Sequence, residues 1–229
     1  TVEIVHRCFY PEADVEAVRS ALRRMVELGR LKTEPLDTRR GYYRLTSRGA
    51  RLIGVSRRSA QPLKRQGKIQ RYAVSWFIHA DQPGQRVLLN PADYPERFPV
   101  GEHRLPRCPF FLDRSQQPCR MGFILVDHNA HYRRMGRKVV KILARFLHHG
   151  WFDSLIRQDA FLVTVLTFSA HRQRTFQKHV PRSIADQLRY PLSKLRPELR
   201  TQIPSLVHVH VVPGLDEIIT QPGKEKAKP

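Results

Sequence analysis

Apolar side chains at Val15, Val18, Leu22, Met25 and Val26 recur at intervals of three and four residues, which lines one face of a helix. The opposite face carries Glu16, Arg19, Ser20, Arg23, Arg24 and Glu27. Asp14 stands where an N-cap belongs, and Gly29 suits the left-handed residue after the last turn. Two strand-like runs follow at residues 31–36 and 42–45, joined by the turn Asp37-Thr38-Arg39-Arg40-Gly41. Thr46 then starts another helix through Arg48, Arg51 and Ile53, and Arg57 and Arg58 carry positive charge beyond it. Val2, Ile4 and Val5 read as part of an earlier helix, and residues upstream of Thr1 are expected to be missing. Helix, basic-tipped hairpin, helix is the order of the second half of a winged helix-turn-helix. A helix–hairpin–helix scaffold that binds protein is the alternative.

The pattern changes after residue 58. Residues 56–68 form a basic linker with Pro and Gly, and residues 69–79 are read as a helix packing the two parts together. Residues 81–107 are read as loop, with a helix start at Asn90-Pro91-Ala92-Asp93. Regular order then predicts strands at 109–113 and 119–127, a helix over 132–149 ended by Gly150, a buried strand at 160–168, a helix over 169–180 and a strand at 206–214. Hairpin, helix, strand, helix, strand implies an α/β order with a partly parallel sheet. The fold class expected is therefore α+β or α/β: a winged helix at 1–58, a linker and packing segment at 59–108, a mixed-sheet α/β domain at 109–214 and a disordered tail at 215–229. There is no internal repeat.

Charge decides the partner class. The chain has 229 residues and a formal net charge of +21. Residues 1–58 hold 13 Lys and Arg against 7 Asp and Glu, so the remainder is about as basic per residue as the beginning. Such a bias implies a polyanionic partner. No apolar run is long enough to span a bilayer, and no terminal basic helix has a Trp/Phe face, so no membrane partner is expected. Three cysteines, Cys8, Cys108 and Cys119, form no CxxC pair, and no signal peptide is visible, which suits a reducing cytoplasm. Double-stranded DNA is the expected partner, read by the winged helix, with the α/β domain adding non-specific phosphate contacts or binding a partner. Arg19, Ser20, Arg23 and Arg24 would enter the major groove, Arg39 and Arg40 would hold the backbone from the wing, and Arg48, Arg57 and Arg58 would add contacts. A homodimer is expected on geometric grounds, because one winged helix reads a short site.

Candidate chemistry centres on Asp113 and Asp127, 14 positions apart, each read as ending a strand. Two acidic residues at adjacent strand ends are the Mg²⁺ arrangement of restriction-endonuclease-like nucleases. The triplet here is Asp127-His128-Asn129, without a lysine, so Lys138 or Lys141 from the following helix would have to substitute. The alternative makes Asp113 a turn residue and Asp127 a cap. Asp127, His128 and His131 also resemble a small transition-metal cluster. His208 and His210 share a strand face as a metal pair or as its polar side, and His148 and His149 suit terminal helix carbonyls. No phosphate-binding glycine loop and no GxSxG are present, so nucleotide hydrolysis and serine chemistry have no support.

The run ADVEAVRSALRRMVELGRLKTEPLDTRRGYYRLTSRGARLIG resembles the N-terminal winged helix of the replication-relaxation family, proteins of plasmids and other mobile elements. MGFILVDHNAHYRRMGRKVVKILARFLHHGWF is similar to that family's later block, a strand ending in an acidic residue and then a Lys/Arg-rich helix. Together the two blocks cover about half the chain. The resemblance implies DNA binding in plasmid replication, relaxation or mobilisation, or control of those genes, in a bacterial, nucleoid-associated setting, with replication, transfer or recombination proteins as further partners. It places the family's acidic position at Asp127. The α/β domain is then expected to resemble a degenerate endonuclease-like core without a cofactor. The rival readings are a Mg²⁺-dependent DNA nuclease or nicking accessory using Asp113 and Asp127, and a protein-docking scaffold.

Overall fold

Asp14 caps the first long helix by accepting a 3.2 Å hydrogen bond from the Glu16 amide, and Gly29 lies just beyond the helix end at φ +67°. The structure, a computed structural model, describes residues 1–90, 108–146, 150–188 and 201–220. The fold is mixed α and β, and the chain divides into two units, Thr1–Pro83 with Gly214–Pro229, and Gly84–Pro213.

In the first unit, α1 (Val2–Phe9) and α2 (Val15–Glu27) precede the antiparallel hairpin β1 (Leu31–Pro35) and β2 (Gly41–Leu45), paired from Leu31 opposite Leu45 to Pro35 opposite Gly41. Thr46 caps α3 (Ser47–Leu52) by accepting from the Gly49 amide at 3.0 Å. A 3₁₀ turn at Arg57–Ala60 leads to α4 (Arg65–Ser75), which runs on into a π-helical stretch, Trp76–Asp81. The helix expected at 69–79 thus begins four residues earlier, inside the expected linker. Its stripe Ile69, Ala73 and Phe77 is buried, and helical spacing of those anchors draws the polar residues before them into the same helix.

The second unit holds one five-stranded sheet: β3 (Arg86–Leu88), β4 (Phe110–Asp113), β5 (Arg120–Val126), β6 (Phe161–Thr167) and β7 (Val207–Val211), adjacent in chain order. β3, β4 and β5 are antiparallel, and β5, β6 and β7 are parallel. β3 falls where only loop was expected, since three residues are too few to show a period. The crossovers are α5 (Tyr132–Phe146) and α6 (Gly150–Arg157) between β5 and β6, and α7 (Ala170–Leu188) between β6 and β7. Gly150 was expected to end a helix; instead it begins α6, which buries Phe152 and Ile156. The expected helix end at 147–149, and the helix start at 90–93 apart from Asn90, lie outside the described residues.

α7 also runs past its expected end at residue 180, through Pro181 to Leu188. A proline there removes one helical hydrogen bond, but Val180 and Ile184, one turn apart, are both fully buried, and that burial holds the helix together. Phe110, Phe123, Phe161 and Phe152 make a chain of ring contacts through the core, with centroids 4.8–6.2 Å apart. α5 closes it with Met135, Val139 and Leu143, and α7 with Phe176, Val180 and Ile184. α5 and α7 run side by side in the same direction. Tyr132 stacks on His179 at 4.8 Å, and one turn later Gly136 sits against Ser183, where an added Cβ would lie 2.6 Å from the hydroxyl.

The chain then returns to the first unit as α8 (Leu215–Thr220). Residues 215–220 were expected to be the start of a disordered tail. They form a helix because Leu215 and Ile218 are buried, and α8 packs on α4, where Arg65 donates to the Ile219 carbonyl. The charged end of that expected tail, 223–229, lies outside the described residues.

Candidate nucleic-acid interface

In the first unit, Val18 turns inward and the polar face of α2 stays in solvent. Ser20, Arg23 and Arg24 are exposed, and Arg19 is half-buried. Arg19 donates to Glu16, whereas Arg23 lies 3.8 Å from the same carboxylate without a hydrogen bond to it. Arg39 is exposed at the hairpin tip, Arg48 on α3, and Arg57 and Arg58 on the 3₁₀ turn.

Arg40 departs from the expectation of a backbone-holding wing residue. Its Nε donates to the buried Asp37 carboxylate at 2.5 Å, Nη1 to the Tyr72 hydroxyl at 2.9 Å and Nη2 to the Gly214 carbonyl at 2.5 Å, with Glu217 3.6 Å away. A Cβ on Gly214 would collide with this guanidinium. Arg40 therefore ties the turn to α4 and to the segment entering α8, and its donors are committed inside the unit. Asp37 also accepts from the amides of Arg39 (2.8 Å) and Arg40 (2.6 Å). Burial alone would push its carboxyl up. Those amides and the Arg40 guanidinium outweigh burial and hold it below the usual aspartate value.

The two aspartates of the expected nuclease site are apart. β4 and β5 are antiparallel, so Asp113 lies opposite Arg120 at the start of β5, whereas Asp127 follows the end of β5. Seven residues of strand separate those levels, roughly 23 Å at about 3.3 Å per residue. The reading that put both at adjacent strand ends fails on this geometry, because in a hairpin the end of one strand meets the beginning of the next. Asp113 closes a turn, accepting from the Ser115 amide (2.9 Å) and hydroxyl (2.6 Å), with Arg86 Nε 3.6 Å away.

Asp127 is fully buried. Arg172 Nε and Nη2 donate to it at 2.6 and 3.1 Å, the Thr167 hydroxyl at 3.2 Å and the Ala130 amide at 2.9 Å. Each carboxylate oxygen accepts two hydrogen bonds, which fills the four sites an ionised carboxylate offers and leaves no lone pair directed at a metal. Arg172 is further fixed by the Ala130 carbonyl and by the rings of Phe168 and Phe176, each 4.9 Å from its guanidinium carbon. His128 is half-buried, and its Nδ1 is buried without a hydrogen-bond partner. Burial, and then the charge of Lys138, hold its imidazole below the usual value. His131 is exposed, with its ring tilted against Tyr132 at a centroid distance of 4.2 Å. Among the described residues, no three His, Cys, Asp or Glu side chains are grouped to hold a metal ion. His208 and His210 flank the buried Val209 on the edge strand β7.

A cationic face lies on α5, in the domain expected to add non-specific phosphate contacts or bind a partner. Between Tyr132 and Arg145, every exposed residue of α5 is an arginine or a lysine: Arg133, Arg134, Arg137, Lys138, Lys141 and Arg145. α5 contains no Asp or Glu, and among the described residues none of the six has a carboxylate partner. α2 carries three arginines against two glutamates. The signal in the sequence is the absence of acidic residues from a fifteen-residue amphipathic helix, and it is as legible there as the arginines of α2. No protein-family model, curated protein or solved structure matches the chain.

Proposed function

We propose that the protein binds double-stranded DNA, with the first unit acting as a winged helix. α2 would lie in the major groove with Ser20, Arg23 and Arg24 toward base edges, and the hairpin would bring Arg39 to the neighbouring backbone. The observation that carries this reading is the solvent-facing side of α2, whose exposed arginines, Arg23 and Arg24, lie in its second half, directly before a hairpin with an exposed arginine at its tip. Arg19 enters only if its pair with Glu16 opens. Arg40 is left out, because its donors are occupied within the unit. The second unit we read as an endonuclease-like core without a paired-carboxylate centre. The setting proposed, replication, relaxation or mobilisation of a mobile element, rests on the family resemblance.

The test is duplex binding as a function of salt. Arg23→Ala/Arg24→Ala should weaken binding at least tenfold and blur preference among duplex sequences, at about 1–3 kcal/mol for each lost base contact. Unchanged affinity and unchanged preference would overturn the assignment of α2.

A second reading has its own observation. Leu52, the last residue of α3, and Ile53 and Val55 just beyond it stand exposed at 61, 62 and 40% of their surface. Such a patch favours protein docking. Leu52→Ser/Ile53→Ser with unaltered DNA affinity but a changed sedimentation coefficient would assign the patch to self-association.

A further inference from the structure

We infer that the exposed face of α5 is a separate site that binds the phosphate backbone of duplex DNA without reading its sequence. This rests on the DNA-binding reading above but places a second contact in the other unit. All six exposed residues from 133 to 145 are cations, and no carboxylate within α5 neutralises them. Spaced along a helix, Arg133 and Arg145 are about 18 Å apart at roughly 1.5 Å per residue. That length exceeds a major groove about 12 Å wide, so one helix can touch phosphates on both rims of it, a geometry that only a duplex offers.

The composition of the face narrows the ligand. It presents no exposed aromatic ring, so unpaired bases have nothing there on which to stack. It presents no exposed apolar side chain, so it lacks what inserts an amphipathic helix into a membrane. Arginine and lysine on a helix with no carboxylate of its own suit phosphate oxygens, whose contacts position a protein but carry no sequence information. The helix is firmly based. Its inner face is buried by Met135, Val139 and Leu143, and Gly136 lets it close on Ser183 of α7. α7 adds Arg174, Lys178 and Arg182, exposed at successive turns.

The experiment uses the full chain carrying Arg134→Gln, Lys138→Gln, Lys141→Gln and Arg145→Gln together. The slope of log affinity against log salt is measured on two duplexes of different sequence, a single strand of equal length, and anionic vesicles. Removing four phosphate contacts should flatten the duplex slope by up to about 3.6, at roughly 0.9 per contact. Affinity should drop by the same factor on both duplexes, so their ratio stays fixed, and the far-UV spectrum and Tm should match the parent. An unchanged slope in this variant, with intact duplex binding, overturns this inference and leaves the α2 reading standing. An intact protein that binds no duplex overturns both. Tighter binding to the single strand or to the vesicles than to duplex overturns the assignment of the ligand.

Discussion

Arg172, in the first turn of α7, grips Asp127, at the end of β5, through two hydrogen bonds of 2.6 and 3.1 Å across 45 positions of sequence. The pair fastens a crossover helix to the carboxyl edge of the sheet, and its acid is wholly shut from water. Removing either partner leaves the other stranded. Asp127→Ala should cost about 3–5 kcal/mol of unfolding free energy, read from urea denaturation. Asp113→Asn, which alters a turn, should cost about 1 kcal/mol. Equal costs would place the two aspartates in equivalent environments, against the geometry described.

Arg39 and Arg40 are neighbours in opposite environments, the first exposed and the second bonded inside the unit. Arg40→Ala should lower stability by about 3 kcal/mol, since it leaves the buried Asp37 short of its cation, and Arg40→Lys should not restore it, because one ammonium cannot reach Asp37, Tyr72 and Gly214 from a planar fork. Arg39→Ala should leave Tm within a degree or two of the parent and weaken duplex binding. Thermal melts and a binding isotherm on the same three proteins check both halves.

Acid should loosen the first unit through Asp37. Its folded pKa lies below the ordinary 3.8. Well above pH 3.8 the carboxyl is ionised in both states and its full stabilising contribution is present. As pH falls through that value the unfolded chain takes up the proton first, so stability drops until the folded carboxyl protonates as well. Urea midpoints at pH 6 and pH 3 should converge more closely for Asp37→Asn than for the parent. A parent and variant that lose equal stability on acidification would contradict this.

Gly136→Ala should destabilise, although alanine favours helix by about 1 kcal/mol over glycine. The new methyl would sit 2.6 Å from Ser183 Oγ and 2.9 Å from its Cβ, which forces α5 and α7 apart at a cost of about 1–3 kcal/mol. Adding Ser183→Gly should recover most of the loss. Failure of the double variant to recover would mean that the close approach of these helices is not what requires glycine.

Much of the scaffold is written in local pattern. β6 shows seven consecutive buried positions as an apolar, β-branched run, and α2 declares itself by its three–four spacing and its Asp14 and Gly29 boundaries. Features that depend on pairing partners were hidden. β3 is three residues long and exists because β4 offers it an edge. α6 was obscured by a glycine that reads as a stop. Arg40 looked like a wing-tip cation because its partners, Tyr72, Gly214 and Glu217, lie 32 to 177 positions away. The separation of Asp113 from Asp127 was available in principle, since a hairpin sets the end of one strand beside the start of the next. The α5 face was visible as composition, but which of its residues meet solvent depends on the helix packing against the sheet and α7.

α8 packs on α4, although the whole five-stranded unit lies between them in the chain. The polypeptide thus leaves its opening unit unfinished, builds the sheet, and comes back to complete what it began. During synthesis the sheet unit can close on itself first, while the unit bearing the hairpin waits for a segment made some 130 residues later. A nascent or truncated chain ending before residue 214 would therefore expose the surface of α4 that α8 covers, and completion of that unit waits on the arrival of α8.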